Sequence, residues 1–251
     1  MEPDAYTEMA ATEQAHWWFR GRRQILAAVI GRLQLPQAAR ILELGSGTGG
    51  NFKMLQRFGQ LTAVEMNALA RALSLRDAWG IIEVKAGFLP DGLPDLGKFD
   101  LICLFDVLEH VEQDEAALRT VRSLLAPGGR AVITVPAFAK LWGPHDAQMH
   151  HKRRYERAEL AVKLQQAGLL VTELSYSNMF LFPAALVMRA AGTLAQRLAG
   201  RRIATGTATL PYLLNHAFAA IFGAERFFIG RIKLPIGLSL LAVARAMPGS
   251  D

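Results

Sequence analysis

The chain has 251 residues, 51% of them hydrophobic and 20% charged, with a net charge of +6 and one cysteine. This length and composition fit one large α/β domain and exclude a disordered, fibrous or disulfide-built chain. Cys103 lies in an apolar run and is expected in the core of a protein from a reducing compartment.

The opening stretch MEPDAYTEMAATEQ is acidic and polar, unlike a secretory leader. No apolar run approaches the ~18 residues of a membrane span; the longest are Met179–Met188 and the stretch around Ala217–Ala224. A cytoplasmic protein is expected.

The first element, in AHWWFRGRRQILAAVIGRLQ, is an amphipathic helix with Ile25, Val29 and Leu33 on one face, preceded by an aromatic cluster. Continuous apolar runs then predict strands at Arg40–Leu44, Leu61–Glu65, Ile81–Lys85, Phe99–Phe105 and Arg130–Val135. Helices are expected between them, at Asn51–Phe58, Ala68–Trp79 and Asp114–Leu125, with Pro127-Gly128-Gly129 turning into the fifth strand. A helix over Arg157–Ala167 stops at Gly168 and leads to strands at Leu169–Tyr176 and Gly237–Ala244. Strands that do not alternate are covered on both faces, so the pattern predicts an α/β doubly wound, mostly parallel sheet. The chain divides into a helical lid (1–39), a Rossmann-like core (40–177), an insert (178–235) and a last strand with tail (236–251).

ILELGSGTGGNF, Ile41 to Phe52, places a glycine loop between strand and helix, where a ligand reaches backbone N–H groups. Its glycines fit two templates: Gly45, Gly47 and Gly50 as G-x-G-x-x-G, or Gly45, Gly47 and Gly49 as G-x-G-x-G. Glu43, two residues before the loop, is poorly matched to a pyrophosphate and well matched to an ammonium, as in S-adenosylmethionine. Glu65 at the end of the second strand suits the two ribose hydroxyls of a nucleoside. Met66 beside it either packs on an adenine face or belongs to the core.

The segments ILELGSGTGG, AVEMNA, FDLICLFDVLEHV and LLAPGGRAVITVP, in this order, resemble the class I S-adenosylmethionine-dependent methyltransferases. HWWFRGRRQIL is further similar to the small-molecule branch that includes the ubiquinone-biosynthesis O-methyltransferases. The resemblance spans about Glu13 to Tyr176 and implies a seven-stranded sheet whose final strand, Gly237–Ala244, is antiparallel. It implies S-adenosylmethionine as cofactor, surrounded by Glu43, Gly45, Gly47, Gly49 and Glu65, with Phe105 and Asp106 at the end of the fourth strand. The loop after the third strand departs from the family: Ala86-Gly87-Phe88 stands where an acid usually meets the adenine amine, leaving Gly87 backbone contacts or Phe88 packing to serve. Trp17, Trp18 and Arg20 are read as a lid whose arginine meets the cofactor carboxylate; alternatively the tryptophans staple the first helix to the sheet.

Methyl transfer needs proximity, orientation and a deprotonated nucleophile. His110, in DVLEHV, is a candidate base at the mouth of the site or a residue packed under the cofactor. Asp106, Glu109 and His110 have spacing that converges on one helix face, and similar acid-acid-His spacing in the ubiquinone O-methyltransferases supports a divalent ion. Here the first acid is the shorter Asp, and no metal is expected. HDAQMHHKRRYER supplies His145, His150, His151 and Tyr155 as bases or acceptor contacts, or else forms a solvated basic loop; it carries no zinc pattern.

Residues 178–235 hold seven basic residues, Arg189, Arg197, Arg201, Arg202, Arg226, Arg231 and Lys233, against Glu225 alone, which accounts for the whole net charge of +6. The same segment is rich in Phe, Leu, Ile and Ala. Two readings stand: an interfacial helix pair on anionic lipid, or a cap on the acceptor pocket or dimer contact. A nucleic-acid surface is not expected, because the basic residues are interleaved with apolar stretches. The expectation is a methyltransferase for a hydrophobic or lipid-linked small molecule at a membrane surface. The rival is a non-catalytic cofactor-binding regulator.

Overall fold

The computed structural model describes residues 3–76, 82–187 and 210–248. Seven strands run through it: β1 (Ala39–Leu44), β2 (Gly59–Glu65), β3 (Glu83–Ala86), β4 (Phe99–Phe105), β5 (Leu125–Pro136), β6 (Leu169–Ser177) and β7 (Ser239–Ala246). They form one sheet in the order β3-β2-β1-β4-β5-β7-β6. The first five are parallel, and β7 lies antiparallel between β5 and β6. This is the doubly wound sheet expected, with its antiparallel final strand.

Burial on both faces explains the unbroken apolar runs: Ile41, Leu42, Leu101, Ile102, Cys103, Val132 and Ile133 are all fully enclosed. Cys103 is a core residue, as expected. The strand order reverses between β1 and β4, so their carboxyl ends flank the crevice where open sheets bind ligands. Glu43 and Asp106 sit at those two ends.

The helices are α1 (Pro3–Thr12), α2 (Trp17–Gly31), α3 (Phe52–Leu55), α4 (Ala68–Arg76), α5 (Asp114–Leu124), α6 (Pro144–Gln148), α7 (Arg157–Gln166) and α8 (Tyr212–Ala224). Several boundaries differ from expectation: β3 begins at Glu83 and the last strand runs over Ser239–Ala246 instead of Gly237–Ala244. The helix expected over Asn51–Phe58 is one turn, because β2 starts early at Gly59, where a side chain would collide with the Ala39 carbonyl. Leu125 already pairs with Phe99, so Pro127-Gly128-Gly129 is an irregularity inside β5 and not a turn ahead of it. Asp77–Trp79 and Ile81, expected in a helix and a strand, lie outside the described residues.

Within the insert, α8 packs on α2. Gly21 allows this, since a Cβ there would sit 2.6 Å from the Phe222 ring. Asn215 ties the pair further, accepting from the Trp17 N–H at 2.8 Å and donating to the Ala15 carbonyl at 2.8 Å. Glu225, the segment's one acid, is buried and accepts the backbone N–H groups of Asn178, Met179 and Phe180. No helix among the described residues is long and apolar enough to cross a membrane. Arg189, Arg197, Arg201 and Arg202 lie outside the described residues.

Candidate active site

The loop after β1 turns through positive φ at Gly45, Gly47 and Gly49 (69°, 55° and 86°), and Gly50 does not share this conformation. The G-x-G-x-G template is therefore the one the backbone uses. Gly45 has a second constraint, since a Cβ would lie 2.6 Å from a Val107 methyl. Glu65 braces the loop: Oε2 accepts from the Gly47 N–H at 2.9 Å and Oε1 from the Asn67 N–H at 2.8 Å.

Glu43 is 1% exposed, and its Oε1 accepts from Asn51 Nδ2 at 2.8 Å. Burial pushes its carboxyl up to about 8, against the opposing pull of Asn51 and Arg22. Its Oε2, the Ser46 hydroxyl and the Thr48 hydroxyl are all buried without a hydrogen-bond partner among the described residues. Unsatisfied buried polar atoms are rare unless something else meets them. Three around one glycine loop fit a polar ligand with an ammonium end, and this donor set matches S-adenosylmethionine. Helix α1 covers the loop: the Met9 methyl lies 3.3 Å from where a Cβ on Gly47 would stand, and Tyr6 feels the charge of Glu65.

Across the crevice, Arg22 of α2 makes an ion pair with Asp106 and lies over the Trp18 ring at 4.4 Å. Asp106 Oδ1 also accepts from the Thr134 hydroxyl at 3.2 Å, and Asp106 itself takes a positive φ of 57°. Arg20, expected to be the cofactor arginine, points the other way, with Nη1 at 3.0 Å from His216 Nε2 on α8. The lid arginine at the crevice is thus Arg22. Trp18 supports it, Phe105 is buried at the end of β4, and Trp17 packs edge-on against Phe218 of α8. A small cavity of about 10 Å³, bounded by Trp18, Arg22, Asp106, Thr134, Phe222 and Leu241, marks the cleft between α2, the sheet and α8.

At the ends of β2 and β3, Met66 is 69% and Phe88 55% exposed. Phe88 exchanges backbone hydrogen bonds with Gly92, so the loop after β3 folds back on itself. Gly87 sits tight against Val64 and Pro94, where a Cβ would crowd both.

The histidine group divides. His151 and His110 stack edge-on with centroids 4.8 Å apart, next to fully buried Glu109. Glu109 is pushed well above the usual carboxylate range by burial and by the neighbouring Asp106. Burial and the nearby His151 lower His110 to about 4. His145 and His150 are exposed, with the His145 ring 6.3 Å from that of His151. Tyr155 does not join them. It is fully buried, its hydroxyl donates to Asp114 Oδ2 at 2.9 Å and to the Leu108 carbonyl at 3.3 Å, and burial with the Asp114 charge raises it far beyond its ordinary value.

Asp106, Glu109 and His110 do not assemble as a ligand set, because Asp106 is held by Arg22 and Thr134. Glu109, His110 and His151 do gather, with donor atoms within 4.8 Å of one another. Opposite donors around one ion with bonds of ~2.1 Å stand only about 4.2 Å apart, so this group is looser than a metal shell. Asp146, which sequence reasoning passed over, is fully buried beneath His151 and accepts from Nδ1 at 2.9 Å.

Fold and site together define a class I S-adenosylmethionine-dependent methyltransferase. The family model described as a methyltransferase domain matches residues 18–174, and the chain belongs to that family. It is 32% identical over 177 residues to a ubiquinone biosynthesis O-methyltransferase of Xanthomonas axonopodis pv. citri, covering 60% of this chain and 70% of the relative. A Xanthomonas campestris relative of the same name is 30% identical over 174 residues, covering 59% and 69%. Among solved structures, the fold is similar to a putative methyltransferase complexed with the Haloferax volcanii Trm112 methyltransferase activator (TM-score 0.64, 17% identity, 99% and 97% covered). It is also similar to an S-adenosylmethionine-dependent methyltransferase from Clostridium acetobutylicum (TM-score 0.59, 11% identity, 90% and 91% covered).

Proposed function

We propose that this methyltransferase acts on a hydroxyl of a hydrophobic or lipid-linked small molecule, taken up at an anionic membrane surface. The observation that carries the reading is the double role of α8. Its Ala219 and Phe222 pack on α2 beside the cleft, while Leu213 and Leu214 on its outer side face solvent. An element that closes the cleft and also presents an apolar surface suits an acceptor that arrives from lipid. The names of the Xanthomonas relatives support an oxygen acceptor of lipophilic character.

Bound S-adenosylmethionine supplies a methyl group on a positively charged sulfur. In this reading Glu43 holds its ammonium end, the loop of Gly45, Gly47 and Gly49 lies along it, and Glu65 holds the ribose, releasing the Gly47 N–H as it does so. Arg22 is the cation within reach of its carboxylate. Phe105 and Asp106 line the floor, Met66, Gly87 and Phe88 border the adenine, and His110, His145, His150 and His151 ring the acceptor side. The experiment is profiling of lipid and polar extracts from cells fed a methyl-labelled donor, with the protein and with its Glu65→Ala variant. Label in a lipid-phase product that depends on Glu65 is expected; label confined to polar metabolites overturns the acceptor reading.

A further inference from the structure

Asp146 of α6 is fully buried, and both of its carboxylate oxygens are engaged. Oδ1 takes His151 Nδ1 at 2.9 Å and Arg154 Nε at 2.7 Å, and Oδ2 takes the Gly143 N–H at 2.9 Å. Arg154 is itself anchored on the Ala137 carbonyl at 2.9 Å, at the end of β5. On the far side of the imidazole, His151 Nε2 lies 4.0 Å from Glu109 Oε1. Neither carboxyl oxygen of Glu109 has a hydrogen-bond partner among the described residues.

We propose that His151 is the general base for the acceptor hydroxyl, and that Asp146 is the positioning residue that fixes its tautomer. This rests on the reading of the acceptor as a hydroxyl compound. Burial works to raise Asp146, but the hydrogen bond from His151 and the charge of Arg154 outweigh it and hold the carboxyl down to about 2. An ionised carboxylate has no proton to give, so Nδ1 carries the hydrogen, and in the neutral ring Nε2 holds the lone pair. That lone pair faces Glu109 and His110, at the carboxyl edge of the sheet after β4.

The groups that face the His151 ring are Asp146 and His145 from α6 and Glu109 and His110 from the turn after β4, with Arg154 acting through Asp146. His110 is the weaker base, since burial and His151 lower it to about 4 and it is hydrogen-bonded to the backbone of His150. In the step, the acceptor O–H proton passes to Nε2 while the oxygen's electron pair forms the bond to the methyl carbon. The electron pair of the broken carbon–sulfur bond remains on sulfur, which loses its charge. The imidazolium is stabilised by the ionised Asp146, which keeps its hydrogen bond to Nδ1.

The test uses the full chain in two measurements. Ring ¹⁵N spectra should show His151 as the Nδ1–H tautomer in the wild type, passing to Nε2–H in Asp146→Asn. Turnover is measured with a short-chain prenylated catechol as probe. Asp146→Asn and His151→Gln should each lower kcat about 100-fold at pH 7, with KM for the methyl donor unchanged. The deficit should close as pH rises toward the phenol value of about 10, where the acceptor ionises without help. An Nε2–H tautomer in the wild type, or a deficit that stays constant with pH, overturns the proposal. No turnover of the catechol by wild type overturns the acceptor reading and the base role with it, while the tautomer still decides the Asp146–His151 pairing. If Asp146→Asn fails to fold, His151→Gln carries the pH test.

Discussion

Arg22, on the lid helix α2, is ion-paired with Asp106 at the carboxyl end of β4. Its charge also opposes the rise that burial imposes on Glu43 and Glu109, so one guanidinium acts on three acids around the crevice. Hydrogen bonds to charged groups contribute about 1.5–3 kcal/mol each. Arg22→Ala is therefore expected to weaken binding of S-adenosylhomocysteine at least tenfold, measured by calorimetry. Arg20→Ala, which loses only the contact to His216, should change it less than threefold. Equal losses in the two variants would remove Arg22 from the cofactor site.

The different directions of Arg20 and Arg22 show where the sequence stops being legible. Residues two apart lie about 200° from each other around a helix axis, and in HWWFRGRR aromatic and basic residues fall on every side. No period there says which arginine looks inward; the packing of Gly21 on Phe222 decides it. The glycine loop is readable because its demands are local: positive φ at Gly45, Gly47 and Gly49 in succession favours glycine at each position. The strands were readable for the same reason, since burial on both faces leaves an unbroken apolar run. Asp146 was not, because its pairing with His151 crosses a loop, where no spacing rule applies.

Glu43 gives a pH dependence whose sign follows from burial. In the ligand-free protein its carboxyl is raised to about 8, so at pH 7 most of it is protonated. An ammonium ligand requires the carboxylate, so binding near pH 7 should release close to one proton. Affinity should rise by up to tenfold per pH unit from pH 6 toward 8. Stability of the ligand-free protein runs the other way. A carboxyl raised on folding favours the folded state fully below its unfolded value of about 4.3, and this is lost at up to ~1.4 kcal/mol per unit as pH rises toward 8. Calorimetry in buffers of different ionisation enthalpy measures the proton, and Glu43→Gln should abolish it. A proton count of zero for the wild type would mean that Glu43 is already ionised before binding.

Tyr155 was a candidate base by its place in HDAQMHHKRRYER, and its surroundings assign it a different task. Its hydroxyl joins Asp114, which also holds Lys163 at 3.1 Å and Arg153 at 3.1 Å, linking the loop after β5 to α5 and α7. Removing one partner from a buried hydrogen bond costs about 1–3 kcal/mol. Tyr155→Phe should lower the midpoint of chemical denaturation accordingly and leave kcat within twofold. A large loss of kcat with unchanged stability would return Tyr155 to the catalytic group.

The outer face of α8 provides the test of membrane docking. Leu213 is 79% and Leu214 50% exposed, and Phe227, Phe228 and Ile232 are exposed in the segment that follows α8. Arg231 and Lys233 stand in the same stretch, and Arg197, Arg201 and Arg202 in the undescribed part of the insert add to its charge. Each basic residue near an anionic leaflet contributes about 1 kcal/mol, so Arg231→Gln with Lys233→Gln should weaken vesicle binding roughly thirtyfold. Leu213→Asp with Leu214→Asp removes the apolar part and should weaken binding even to highly anionic vesicles. Neither pair touches the α2 contact, which uses Asn215, Ala219, Phe222 and Gly223 on the other side of α8, so cofactor binding should stay at the wild-type level in both. Co-sedimentation with vesicles of graded anionic lipid content, at low and at physiological salt, measures the loss. Wild-type protein that remains in the supernatant at every composition would leave α8 as a cap on the cleft alone, with its outer face free for a second copy of the chain.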